Sequence, residues 1–227
     1  MRNSNNTNQT LHFDPLYQGL RVQVSQGPLI REYLERQLQV FTDAMYYNPR
    51  VYAVRVDLRF SQSQDLPDFV HTNLPIHRFI SSLRSKLDHK DNLRWRKKKR
   101  VNRHEMRYVW TREVGSRNGM PHYHLMLFFN GDAYRSLGNF ADLNALGLCN
   151  RIREAWGSAL GLPMVSSARL VSFPAGGRWM IRRDDVKTYR AAFFACSYLC
   201  KAATKPYGQG LNLFDGSRRV VPVDLNA

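Results

Sequence analysis

The sequence predicts an α+β fold, with a central, mainly antiparallel β-sheet of about five strands and helices packed on it. Three observations carry this expectation. Amphipathic helical stretches alternate with strand-like runs, two of the runs are joined by a short turn instead of a helix, and strict βαβ repetition is absent. A doubly wound parallel sheet needs a crossover between paired strands, so it is disfavoured.

Residues 1–12 are polar and rich in Asn and Thr, with little to bury, and are expected to be a disordered leader. Residues 13–227 then form a single domain. Behind Gly27-Pro28, Leu34, Leu38, Phe41 and Met45 recur at helical spacing among Arg31, Glu32, Glu35 and Arg36, which predicts a helix with one apolar stripe. Residues 51–60 alternate instead. Val54, Val56, Leu58 and Phe60 share one face, and Arg55, Asp57 and Arg59 share the other, as in a half-buried strand. Ile76, Ile80, Leu83 and Leu87 mark a second helix. Two alternating runs follow, 106–114 and 122–129, around Asn118-Gly119, a strong hairpin signal. A third helix is expected over 143–160, stopped by Gly161 and Pro163, then a strand over 165–173, a turn at 174–177 and a last helix over about 184–205.

Composition narrows the partners. The chain of 227 residues carries 34 Lys+Arg against 18 Asp+Glu, a formal charge of +16, so it should meet something acidic. With 43 % hydrophobic residues it can still bury a core, which excludes a disordered basic tail. No run of about 18 apolar residues occurs, so no membrane partner is expected. Three cysteines, an odd number, point to a reducing compartment and hence to the cytoplasm.

The sharpest local pattern is Pro121-His122-Tyr123-His124. Side chains alternate along a strand, so His122 and His124 share a face about 7 Å apart and can reach one divalent ion. The plain alternative is a pair of surface histidines. A hairpin turning at Asn118-Gly119 returns Glu113 opposite 122–124, adding a carboxylate and leaving open coordination positions suited to Mg²⁺ or Mn²⁺. Asp57 is a further ligand, an orienting group, or simply a salt-bridge partner of Arg55 or Arg59, which is the simpler reading. On the last helix Tyr198, Lys201 and Lys205 fall on one face. A phenol ionises near pH 10 and becomes a usable nucleophile beside a metal or lysine, although Tyr-x-x-Lys alone is more often a lysine lying along a half-buried ring.

Taken in order, Glu113, His122-Tyr123-His124 and Tyr198-x-x-Lys201 resemble the HUH endonucleases, the superfamily of rolling-circle replication initiators, relaxases and single-strand transposases. Tyr108-Val-Trp-Thr-Arg-Glu113, Pro121–Asn130 and Ser197–Lys205 are most similar to the inovirus-type initiators, related to the filamentous-phage gene-two protein. The resemblance implies a palm-like sheet, a metal held on the scissile phosphate by His122, His124 and Glu113, and a 5′-phosphotyrosine formed by Tyr198 with Lys201 beside it. Residues 51–61 lack the Thr-rich wording of the first initiator motif. A second nucleophile is not expected, because Tyr189, nine residues before Tyr198, falls on the opposite helix face.

Between Arg94 and Arg107 there are eight Lys/Arg and one Glu, a local charge of +7. Arg94, Trp95, Arg96, Lys97, Lys98, Lys99 and Arg100, with Lys205, are therefore expected to hold DNA, the lysines and arginines at phosphates and Trp95 by stacking on a base. Without a phosphate partner the run is a solvated loop. No GxxxxGK[ST] segment is present, so unwinding would fall to a host helicase. The expected activity is nicking and strand transfer on single-stranded DNA at a replication origin, presented in a hairpin or supercoiled duplex. The rivals are a transposase or relaxase, a non-cutting repressor of the same fold, and an RNA-binding protein. The last leaves His122, His124 and Tyr198 without a task.

Overall fold

A computed structural model describes residues 1–61, 68–115 and 119–218. In chain order these form β1 (Arg2–Asn3), β2 (Asn6–His12), β3 (Leu16–Tyr17), β4 (Leu20–Arg21), β5 (Leu29–Ile30), α1 (Arg31–Tyr47), β6 (Arg50–Arg59), α2 (Leu74–Arg96), β7 (Arg107–Val114), β8 (Pro121–Asn130), α3 (Leu148–Leu160), α4 (Met164–Ala168), β9 (Val171–Ser172), β10 (Arg178–Arg182), α5 (Val186–Ser197) and β11 (Phe214–Gly216). The fold is α+β. Its main sheet runs β10-β6-β8-β7-β11, with β9 also against β6, and every pairing is antiparallel.

Alternation along the central strands sorts the two faces. Tyr52, Val54, Val56 and Leu58 of β6 join Tyr123, Leu125, Leu127 and Phe129 of β8 on one face, beneath Ile76, Phe79, Leu83 and Leu87 of α2 and Ile152 and Trp156 of α3. On the other face Val51, Ala53, Val109, Met126 and Phe128 pack under Leu34, Val40 and Phe41 of α1 and Ala192 and Phe193 of α5. Phe41 meets Phe128, Tyr189 and Phe193 edge-on, so Tyr189 is a core residue. Further along this second face the apolar run stops, and Arg55, Asp57, Thr111, Glu113, His122 and His124 take its place.

Several expectations need correction. Residues 1–12 are not a structureless leader: β2 pairs with β1 and, through Leu11 and His12, with β5. They are held by polar bonds that apolar patterning cannot register. Asn3 Nδ2 donates to Gln9 Oε1 and to Tyr207 Oη, and Glu32 accepts the Thr10 N–H. The stripe of α1 is rotated from that predicted, with Leu34, Gln37, Val40, Phe41 and Ala44 buried, because β2, β11 and α5 also pack on that helix. The third helix starts at Leu148, since Asn150 Nδ2 binds the carbonyls of Asp142 and Ala145 and holds the preceding segment in a loop.

Residues 165–168 belong to α4, and only Val171 and Ser172 form a strand. A Cβ on Gly157 would stand 2.8 Å from Ser167 Oγ, so the bare backbone of α3 forms a notch that admits α4. In the β7–β8 connection Gly119 has φ +63°, as a tight hairpin requires, while Asn118 lies outside the described residues. No helix among the described residues is long and apolar enough to cross a membrane. Cys149, Cys196 and Cys200 are buried free thiols.

Trp156 fastens α3 to the sheet. Its ring packs against Phe60, Phe79 and Tyr123, and its Nε1 donates to the Arg59 carbonyl at 2.8 Å. Trp156→Ala is expected to lower stability by about 3–5 kcal/mol in urea unfolding followed by circular dichroism.

Candidate active site

Register places the polar side chains in two rows across the sheet. Thr111, His124 and Asp57 are direct neighbours on β7, β8 and β6, and Glu113, His122 and Arg59 form the next row toward the strand ends. The expected opposition of Glu113 and His122 is therefore present. One ligand atom each of Glu113, His122 and His124 lies within 4.8 Å of the others, and the two imidazoles meet edge-on at 4.9 Å.

The site's charges are held by short contacts. Asp57 Oδ1 lies 2.6 Å from His124 Nδ1, which turns Nε2 toward Glu113 Oε2 at 3.7 Å. A carboxylate on the far nitrogen of a histidine fixes the ring and raises its basicity, as around bound metals. Asp57 also pairs with Arg55 Nε at 3.6 Å, so the salt bridge and the orienting role coexist. Two imidazoles and a carboxylate suit a divalent ion with open positions, and the nitrogens favour Mn²⁺ over Mg²⁺.

Glu113 carries more than a ligand's share of partners. Lys201 Nζ approaches its Oε2 at 3.0 Å, Thr204 Oγ1 donates to the same oxygen at 2.9 Å, and Lys205 Nζ reaches Oε1 at 3.2 Å. Burial alone would raise the Glu113 carboxyl, but Lys205, His124 and Lys201 together hold it below its ordinary value. Burial likewise opposes ionisation of Asp57 and is outweighed by His124, Arg55 and Arg59. His122 is pushed down, first by burial and then by the charge of His124, which favours the neutral form that binds metals.

Tyr198 and Lys201 reach this cluster from the end of α5. The α-helix stops at Ser197, earlier than predicted, and a single 3₁₀ turn, Tyr198–Cys200, carries the chain out. Lys201 then bridges to Leu29, and the Ala202 N–H donates to the Pro28 carbonyl, so pairing with the start of β5 draws the backbone off the helix. Lys201 Nζ donates to Tyr198 Oη at 2.5 Å and stands 3.9 Å from the ring centroid. Arg55 covers the ring at 5.0 Å, and His124 meets it edge-on at 6.0 Å.

Lys205 is not the exposed DNA contact predicted. It lies beyond the helix, where Thr204 at φ +65° reverses the chain, an uncommon conformation for a β-branched residue. Its ammonium is buried against Thr111 Oγ1 at 2.5 Å, the Leu199 carbonyl and Glu113. Burial pushes its pKa down to about 8 against the opposing pull of Glu113.

The basic run is also elsewhere. Arg94, Trp95, Arg96, Lys97, Lys98, Lys99 and Arg100 are exposed at the C-terminal end of α2, which packs on the opposite sheet face. That end adjoins Asn130, whose N–H donates to the His104 carbonyl, and Asn130 is eight residues from His122 along β8, roughly 27 Å. The run stands away from the histidine pair because α2 runs antiparallel to β6, from its start near Thr72, beside Tyr123, to Asp91 beside His104, and carries its end off. Thr111 and Thr204 complete the site and were not singled out from sequence, and Arg55, expected only as a salt-bridge partner of Asp57, also covers the Tyr198 ring. Thr111 and Arg55 each stand two residues before a named carboxylate, a usable strand signal, whereas Thr204 offered none.

Fold and site together define an antiparallel sheet protein whose central strand presents two histidines, beside a glutamate, to a tyrosine–lysine pair. The chain belongs to the family described as the YagK/YfjJ C-terminal domain, whose model matches residues 14–217. It is 36 % identical over 202 residues to the uncharacterized protein YfjJ of Escherichia coli strain K12, covering 85 % of this chain and 96 % of that one. It is also 36 % identical over 171 residues to the uncharacterized protein YagK of the same strain, covering 71 % and 80 %. No solved structure gives a significant match.

Because Asp57 and Glu113 are held below their ordinary values of 3.8 and 4.5, the unfolded chain takes up their protons first as pH falls. Their contribution is complete above the ordinary values and drains away as pH drops through the lower folded ones. Asp57→Asn is expected to cost about 1–3 kcal/mol at neutral pH and to flatten the fall in urea midpoint below pH 4. An unaltered acid slope would remove Asp57 from this account.

Proposed function

We propose that the protein is a metal-dependent endonuclease of the HUH type that nicks and rejoins single-stranded DNA through Tyr198, in the setting of rolling-circle replication. The single observation that supports this most is the placing of Tyr198 Oη against Lys201 Nζ, beside a cluster of two histidines and a glutamate. An ion held by His122, His124 and Glu113 would polarise the scissile phosphate. Lys201 donates to the phenol oxygen and lowers the cost of its negative charge, and Arg55 over the ring adds a second cation. Tyr198 Oη gives its proton to solvent and bonds to phosphorus. The P–O3′ bond breaks, and the 3′ oxygen takes a proton from solvent.

The products are a 5′-phosphotyrosine and a free 3′-hydroxyl, and attack by such a hydroxyl reverses the step. The phosphodiester energy is kept in the covalent bond, so rejoining needs no nucleotide. Lys201 and the metal share Glu113 in this scheme. Glu113, if it also held an ion with His122 and His124, would hold Lys201 less tightly, and that ammonium would be freer to serve the phosphate and the phenolate. The exposed basic run at the far end of the sheet is assigned to a stretch of DNA distant from the cleaved phosphate. A non-cutting repressor would not need the Tyr198–Lys201 pair.

Single-stranded oligonucleotides and Mn²⁺ should give a covalent adduct retained through denaturing electrophoresis. Tyr198→Phe should abolish it, and His122→Ala or His124→Ala should lower its rate at least a hundredfold. An adduct that survives in Tyr198→Phe would sink the assignment. Replacing Arg94, Lys97, Lys98 and Lys99 together by Ala is expected to flatten the dependence of log affinity on log salt by about 3–4 for duplex DNA, measured by fluorescence anisotropy, with the adduct on a short saturating oligonucleotide unchanged.

A further inference from the structure

A cavity of about 450 Å³ lies between α5 and the β3–β4 hairpin and is lined by Leu16, Gly19, Arg21, Arg190, Ala191 and Phe194. None of these residues takes part in the site described above. Phe194 follows Arg190 by four residues, so the two stand on successive turns of one face of α5, about 5.4 Å apart, and Tyr198 comes four residues later in the 3₁₀ turn after the helix. Phe194 is 37 % exposed and Leu16 51 %, an apolar floor that the fold leaves uncovered. Arg21 places its guanidinium 5.8 Å from the Phe194 ring, Arg190 is exposed on the rim, and no carboxylate lines the cavity.

The cavity wall is tied to the end of α5, just before Tyr198. The Gln23 N–H donates to Ser197 Oγ at 2.9 Å, and the Gln23 side chain donates to the Phe194 carbonyl at 3.0 Å. At the hairpin tip Gln18 and Gly19 both have positive φ, and nothing lies within 4 Å of where a Gly19 Cβ would stand. The mouth is therefore open on that side.

We propose that this groove is a nucleobase subsite, in which a base of the strand held at Tyr198 stacks on Phe194 against Leu16 while Arg21 and Arg190 meet the flanking phosphates. It rests on the nuclease reading for its occupant. An aromatic floor rimmed by two guanidiniums with no lining carboxylate fits a flat apolar ring on an anionic backbone. An apolar peptide would fill the floor and leave both arginines without counter-charges.

The test uses full-length protein carrying Tyr198→Phe, so that binding is read without cleavage, and single-stranded DNA in which 2-aminopurine is walked across the cleaved region. Fluorescence quenching is expected at one position, lost in Phe194→Ala and kept in Phe194→Trp, with affinity falling about tenfold in the alanine variant only. Quenching at no position, or quenching indifferent to Phe194→Ala, overturns the subsite even where the wild-type chain forms its Tyr198 adduct. Tighter binding of an RNA of the same sequence also overturns it. Phe194-dependent quenching without any wild-type adduct supports the subsite and removes the nuclease reading instead.

Discussion

Glu113 is a carboxylate taken out of water and shared among Lys201, Thr204, Lys205 and His124. An uncompensated buried charge is costly, so each partner depends on the others being in place. The contacts join segments far apart in the chain: β7 supplies Glu113, β8 supplies His124, and the turns after α5 supply both lysines and Thr204. Around this knot the rest of the architecture falls into position. Residues 198–205 leave the helix to reach it, and Thr204 adopts an unfavourable backbone conformation while its hydroxyl is bound there.

The same arrangement links Tyr198 to the cluster of His122, His124 and Glu113. Lys201 touches both Glu113 and the Tyr198 oxygen, so the charge state of one is felt by the other through a single ammonium. Lys205, fully enclosed, meets the other carboxylate oxygen of Glu113. Asp57 performs the corresponding task for His124 from the neighbouring strand. Asp57, Glu113, Lys201 and Lys205 thus each have an ionic partner within the site.

Much of this was legible in the sequence, for identifiable reasons. Period-two alternation located β6, β7 and β8, and the hairpin between the last two put Glu113 opposite His122, because register in a short hairpin leaves little choice. Helical spacing found Ile76, Ile80, Leu83 and Leu87 as the buried stripe of α2. What escaped were features set by tertiary contact. The N-terminal strands are pinned by amide and carboxylate side chains with almost no apolar signal. The notch at Gly157 turns an apparent strand into α4. Lys205 looked like a surface lysine on a helix and is an internal one past its end. The basic run was legible as dense in charge, but its distance from the site, a strand's length, is set by the direction of α2 and leaves no mark in the sequence.

His122 and His124 belong to β8, which has partners on both sides, and the residues between and after them, Tyr123, Leu125 and Leu127, fill the core on the reverse face. A slip of β8 by one residue would turn both imidazoles into that core and bring a phenol and two leucines to the surface where Tyr198 waits. Chemistry and folding are therefore read from one ladder of hydrogen bonds. The pair of histidines is inherited with the strand, and the register that buries Tyr123, Leu125 and Leu127 keeps both imidazoles on the opposite face.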